Sequence, residues 1–239
     1  FRSYSAGDDQ LQQRAGRVFA VSSVATPVML GVVAGAVASS EIRINPESGR
    51  VVTDFVSAWL QPFPFAIGGL TLAICAFLAA VYMTVEVQDE GLREDFRVRA
   101  LVSGAFVGVM AFAAAFLSRS SAPEIWNTIV GSTLGAAFQV VTGLAAVGAL
   151  VALYQRRFSL ARLLAGAQVA LILIGWALAQ YPFVVYPDLE LVESAAAASV
   201  LQPVLIALGV GMIVLIPSFW YLYAVFKGQP ETRSSPDAD

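Results

Sequence analysis

The sequence contains no histidine and only one cysteine in 239 residues. Without imidazole, Ser-His-Asp and Cys-His catalysis, the usual zinc sites and imidazole ligation of haem iron are excluded. A single thiol makes neither an intrachain disulfide nor a dithiol redox pair, and Cys75, set in the apolar run LAICAFLAA, reads as a buried structural residue. Charge is scarce too. Asp, Glu, Lys and Arg together are 13% of the chain and the net charge is -3, against roughly 25% charged residues in soluble domains. No basic surface is left to hold a nucleic-acid backbone, so no nucleic acid is expected as a partner.

Hydrocarbon is what the chain has in quantity. Apolar residues are 58% and the mean hydropathy is +0.73, the composition of a membrane protein. A bilayer core of about 30 Å needs about 20 apolar residues in a helix. Six stretches qualify, at about 18–39, 63–85, 100–117, 127–154, 163–185 and 200–226. The fold class is therefore all-α, a polytopic transmembrane helical bundle forming a single domain over 1–239, with a flexible cytoplasmic tail over 227–239. The fourth stretch exceeds the need and is expected to tilt or to project. The leader FRSYSAGDDQLQQRAGR is polar and does not read as a cleavable signal.

Basic residues orient the spans. Arg2, Arg14, Arg17, Arg93, Arg97, Arg99, Arg156, Arg157, Arg162, Lys227 and Arg233 fall on the side of the termini, and Arg43, Arg50 and Arg119 on the other. This excess places both termini in the cytoplasm by the positive-inside rule. Gly31 with Gly35, Gly104 with Gly108, and Gly131 with Gly135 have the Gly-x-x-x-Gly spacing of close helix contacts, within the chain or with a partner helix.

Between the first two spans, Val52, Phe55, Val56, Trp59 and Leu60 recur at helical spacing, which predicts a short interfacial helix broken by Pro62 and Pro64. Asp54, on its polar side, reads as a solvated acid. The segment VEVQDEGLREDFRVRAL reads as a solvated extension of the third span, acids first and arginines last, as a helix dipole favours. Gly91 alone does not make a phosphate loop.

Within the six spans there is no Asp, Glu, Lys or Arg. Transporters and pumps usually keep such residues at membrane depth for function. A small-solute carrier using Asn127, Gln139 and Gln168 as uncharged ligands is the alternative reading, although glutamines in spans more often bond to neighbouring helices.

The stretch GWALAQYPFVVYPDLELVESAAAASVLQP, from Gly175 to Pro203, followed by PSFWYLYAVFKG, resembles subunit II of the cytochrome bd quinol oxidases. In that family the penultimate helix ends in Trp-Ala-x-Ala-Gln-x-Pro and leads into a Pro-Asp-Leu, alanine-rich outer loop. The start, through TPVMLGVVAGAV, and PFPFAIGGLTLAICAFLAAVYMTVE with LREDFRVRALVSG are similar to the family's third and fourth helices. Tyr186 stands where a second proline is expected, and Glu190-Leu191 where Thr-Ile is commoner.

The resemblance implies an eight-helix subunit in two four-helix halves, of which the first two helices are not seen here. It implies a haem-free accessory subunit of a quinol:oxygen oxidoreductase in the bacterial inner membrane. This chain would have no catalytic, cofactor-binding or metal residues of its own. Haem b and haem d would sit in subunit I, with a small accessory subunit, lipid and quinone as further partners. Trp176, Gln180, Tyr181, Pro182, Pro187 and Asp188 are the expected packing residues, with Pro203 in the first turn of the last helix.

Overall fold

A computed structural model describes residues 9–45 and 48–227. Arg2, Arg233 and the tail expected after Lys227 lie outside the described residues. The chain divides into two compact units, Phe1–Glu193 and Ser194–Asp239.

The first unit holds α1 (Asp9–Ala38), α2 (Pro62–Glu86), α3 (Glu90–Ser121), α4 (Pro123–Gly131), α5 (Thr133–Tyr154) and α6 (Phe158–Gln180), with β1 (Phe183–Val185) and β2 (Leu189–Glu190) after them. Local chemistry sets the helix ends. Prolines at the start of α2 and α4 supply a helical φ and lack an N–H that would be unpaired there anyway. Asp89 caps α3 by accepting from the Leu92 N–H at 2.7 Å.

α2 lies against α1, α3 and α6, and α5 packs on α6 and α3. One buried cluster joins Ala73, Phe77 and Val81 of α2 to Ala100 and Val107 of α3, Leu153 of α5, and Ala161 and Ala165 of α6. A second joins Ala38 of α1, Phe63 of α2, Ala122 between α3 and α4, Ile125 of α4 and Ala179 of α6. Alanine dominates both, as expected where close backbone approach rather than hydrophobic exclusion holds helices together.

The second unit holds α7 (Ala198–Lys227), with Pro203 and Pro217 inside the helix. Pro203 is its sixth residue and so lies past the first turn, where it was expected. Its missing N–H leaves the Ser199 carbonyl without the usual helical donor.

α1 from Gln13, together with α2, α3, α5, α6 and α7, are each long and apolar enough to cross a bilayer, so the expected count of six holds and the protein is an all-α, multi-pass membrane protein. The helices differ from the hydropathy windows in instructive ways. The single span expected over 127–154 is two helices broken at Ser132, whose backbone is extended. The Ser132 hydroxyl accepts from the Gly135 N–H at 2.9 Å and donates to the Thr128 carbonyl at 2.6 Å. A serine oxygen thus competes successfully with the helix for its backbone groups. The span expected over 163–185 stops at Gln180, because Pro182 cannot continue a helix and drives Tyr181 into the extended region.

The interfacial helix expected over 52–60 is a succession of turns instead. Asp54 takes the Val56 N–H at 3.3 Å and the Ser57 hydroxyl donates to the Asp54 carbonyl, local bonds that leave one helical bond, from the Leu60 N–H to the Val56 carbonyl at 3.0 Å. Cys75 is exposed, not buried. It lies two residues from both Ala73 and Phe77, about 200° round the helix from each, and therefore faces away from the buried side of α2.

Candidate functional site

Where α6 ends, the chain forms a small hairpin. β1 and β2 pair antiparallel, Phe183 with Glu190 and Val185 with Leu189, round a turn made of Tyr186, Pro187 and Asp188. Both Tyr-Pro bonds, before Pro182 and before Pro187, are cis. The Leu191 N–H donates to the Pro182 carbonyl at 2.9 Å and closes the base of the hairpin. The Phe183 and Tyr186 rings meet edge to face at 5.1 Å between centroids.

Asp188, at the tip, is the best-connected of the expected packing residues. Arg43 donates to it from Nε at 2.8 Å and from Nη2 at 3.1 Å, and the Ile44 N–H adds a third bond at 2.8 Å. The Asp188 side chain is 12% exposed and that of Arg43 is 60% exposed, so the carboxylate is the enclosed partner. The Arg43 guanidinium, then the Ile44 N–H, hold the Asp188 pKa below the ordinary carboxylate value, and the pair raises that of Arg43.

Arg43 is itself fixed. Its N–H donates to Thr53 Oγ1 at 2.7 Å, that hydroxyl donates to the Glu41 carbonyl at 2.8 Å, and the Val52 N–H donates to the Arg43 carbonyl at 2.9 Å. The α1–α2 loop therefore folds as a clasp on the hairpin. Arg43 is the residue that sequence reasoning missed: it was one of three basic residues on its side, and nothing local links it to an acid 145 positions away.

Gln180 lies beneath the hairpin, and its Nε2 points to the Val184 carbonyl at 3.5 Å. Pro182 and Pro187 are half-buried in the same structure. Trp176 and Tyr181 face outward, 40% and 67% exposed, available to lipid or to a neighbour. The six expected residues thus divide into four that build the hairpin and its base and two that present a surface.

At the opposite helix ends the charged loop is an ion-pair network. Arg97 donates to Glu94 from Nε at 2.8 Å and again from Nη2, Arg156 reaches Glu94 at 3.4 Å, and Arg162 reaches Glu86 at 3.7 Å. Arg93 donates to the Val87 carbonyl at 2.8 Å and lies over the Phe158 ring. These contacts tie the α2–α3 turn to the α5–α6 turn, more than the solvated extension expected.

The chain has no imidazole to ligate a haem iron; Cys75, Met29, Met83 and Met212 are exposed, and Met110 of α3 is half-buried. Among the described residues no group of three or more acidic or thiol side chains is placed to hold a metal ion. The ligands of a carrier are not assembled either: Gln168 is buried, while Asn127 and Gln139 are exposed.

Comparison with known proteins adds a family. Residues 1–226 match the family model described as cytochrome bd terminal oxidase subunit II. Among solved structures, a chain of the bd oxidase from Geobacillus thermodenitrificans is similar, with a TM-score of 0.71 and 20% identity over 87% of this chain. At that identity the likeness speaks for the fold, and this chain spans 62% of the length of the solved one. Comparison with curated protein sequences yields no match.

Proposed function

The chain belongs to the cytochrome bd terminal oxidase subunit II family, and from that membership we propose that it serves a quinol:oxygen oxidoreductase as a subunit without haem ligands of its own. The single observation that carries the reading is the family match over residues 1–226. In this reading haem b and haem d belong to a subunit I packed beside this chain, and the complex oxidises quinol and reduces oxygen to water. The redox chemistry is the partner's. What this chain contributes is a shaped, uncharged helical surface, with a clasped hairpin at one end and an ion-pair network at the other.

The missing histidine supports the division of labour, because imidazole is the commonest ligand this chain would need to hold iron itself. The distribution of arginines supports both termini lying inside, and in the bacterial cytoplasmic membrane that the family implies, this reading has the Arg43–Asp188 clasp on the outer face and the Glu94 network on the inner one. Lipid, quinone and a small accessory subunit are compatible neighbours for the apolar faces of α3 and α5.

Deleting the chain in its host and measuring quinol-dependent oxygen uptake by the membranes tests the proposal, in a strain with no other terminal oxidase that uses quinol. Uptake should disappear and return when the chain is supplied from a plasmid. Unchanged uptake in the deletion would overturn the reading.

A further inference from the structure

Three buried side-chain atoms have no hydrogen-bond partner among the described residues: Ser40 Oγ, Gln168 Oε1 and Gln180 Oε1. A buried acceptor left unpaired is costly, and native structures rarely keep one without a reason. Gln180 lines a small cavity, about 10 Å³ in volume, together with Ala38, Glu124, Ile125, Phe183 and Tyr186. That volume is about what one water requires and far below what a quinone, a lipid chain or a solute needs.

Turning the amide round does not remove the unpaired acceptor. Nε2 faces the Val184 carbonyl at 3.5 Å, and the reverse orientation would set two oxygens against each other. The cavity wall is apolar at Ala38, Ile125 and Ala179, which belong to one buried cluster, and polar at Gln180, Glu124 and Tyr186. An ordered water needs two to four polar partners, and three of the lining residues carry polar side chains, Glu124 at the exposed edge among them.

We infer that the cavity is a binding site for one ordered water, which donates one hydrogen to Gln180 Oε1 and the other to the Glu124 carboxylate, with the Tyr186 hydroxyl as donor to its oxygen. The water links the start of α4 to the end of α6. Through Gln180, whose Nε2 faces Val184, it also supports the hairpin that Arg43 clasps. The water completes the hydrogen bonding of an amide that the hairpin alone satisfies at only one end.

The site lies wholly within this chain, so its test does not depend on a haem-bearing partner. A density map of the chain, in the assembly in which it is isolated and at a resolution that shows other buried waters, should carry a peak within hydrogen-bond distance of Gln180 Oε1. The peak should be kept in Gln180→Glu, which retains an acceptor, and lost in Gln180→Met. No peak in the wild-type map, a protein donor bonded directly to Gln180 Oε1, or a peak that persists in Gln180→Met would each overturn the site. If the methionine variant does not assemble, the wild-type map decides alone.

Discussion

Adding one methyl group at Gly31 should destabilise the protein, while the same change at Gly108 should not. Both glycines belong to a Gly-x-x-x-Gly pair, so the motif alone treats them alike. The structure separates them. A Cβ at Gly31 would lie 2.7 Å from Gly68 Cα and 2.5 Å from Thr71 Oγ1, whereas at Gly108 it would meet nothing within 4 Å. Carbon atoms rest at about 3.5–4.0 Å, so α1 and α2 must part by about 1 Å around Gly31, which forfeits a quarter to a half of the attraction between the faces that separate. Overpacking of this kind costs about 1–3 kcal/mol. Gly108→Ala instead gains about 0.5–1 kcal/mol of helix propensity.

A difference of about 2 kcal/mol is a shift of about 4–8 °C for a chain of this size, since 1 kcal/mol moves the midpoint by about 2–4 °C. The assay is the thermal unfolding midpoint of the detergent-solubilised protein for Gly31→Ala, Gly35→Ala, Gly108→Ala and Gly131→Ala. Gly35 should follow Gly31, because its Cβ would stand 2.7 Å from Pro64 Cα, and Gly131 should follow Gly108. Equal midpoints for Gly31→Ala and Gly108→Ala would show that the α1–α2 contact is not as close as described.

Three further outcomes follow from the same structure. Arg43→Ala or Asp188→Asn should raise amide hydrogen exchange across residues 183–191, beginning with the Leu191 N–H. Because the folded Asp188 pKa lies below the ordinary value of about 3.9, the pair's contribution is complete above that value and is lost as pH falls through the depressed one. Wild-type protection at the hairpin should therefore be flat between neutral pH and the ordinary Asp value, and a loss beginning well above it would contradict the clasp. Ser132→Ala should lower stability by about 0.5–2 kcal/mol through loss of the α5 cap, and Gly135→Ala by more, since its Cβ would sit 2.1 Å from the Thr128 carbonyl; an unchanged midpoint for either would mean the 127–154 stretch is one continuous helix. Trp176→Ala combined with Gln180→Ala should reduce the haem content of the purified complex, measured against protein, and full haem content in that double variant would remove the hairpin region from any role in assembly.

Hydropathy was enough to find the six crossings, because lipid demands long apolar runs and the chain keeps charge out of all of them. It was a poor guide to breaks inside those runs. Ser132 barely lowers the apolar average around it, yet its hydroxyl ends one helix and caps the next. Asp54 turned a helical-looking apolar pattern into turns by bonding to nearby backbone, and Thr53 bonds across the loop to Glu41 and Arg43, competitions that periodicity does not register. Cys75 shows the limit of burial rules written for water-soluble cores: in lipid an apolar residue need not face inward. The hairpin residues were legible from their resemblance to a family, but Arg43 was not, because its partner is far away in the chain and the pairing exists only once α1, α2 and α6 are in place.

The most direct measurement is a reduced-minus-oxidised visible spectrum of the protein isolated from membranes by a tag after Asp239, with the co-purifying chains identified. Bands of b- and d-type haem together with a larger, histidine-containing membrane chain are the expected result. A colourless preparation with no such partner would contradict it.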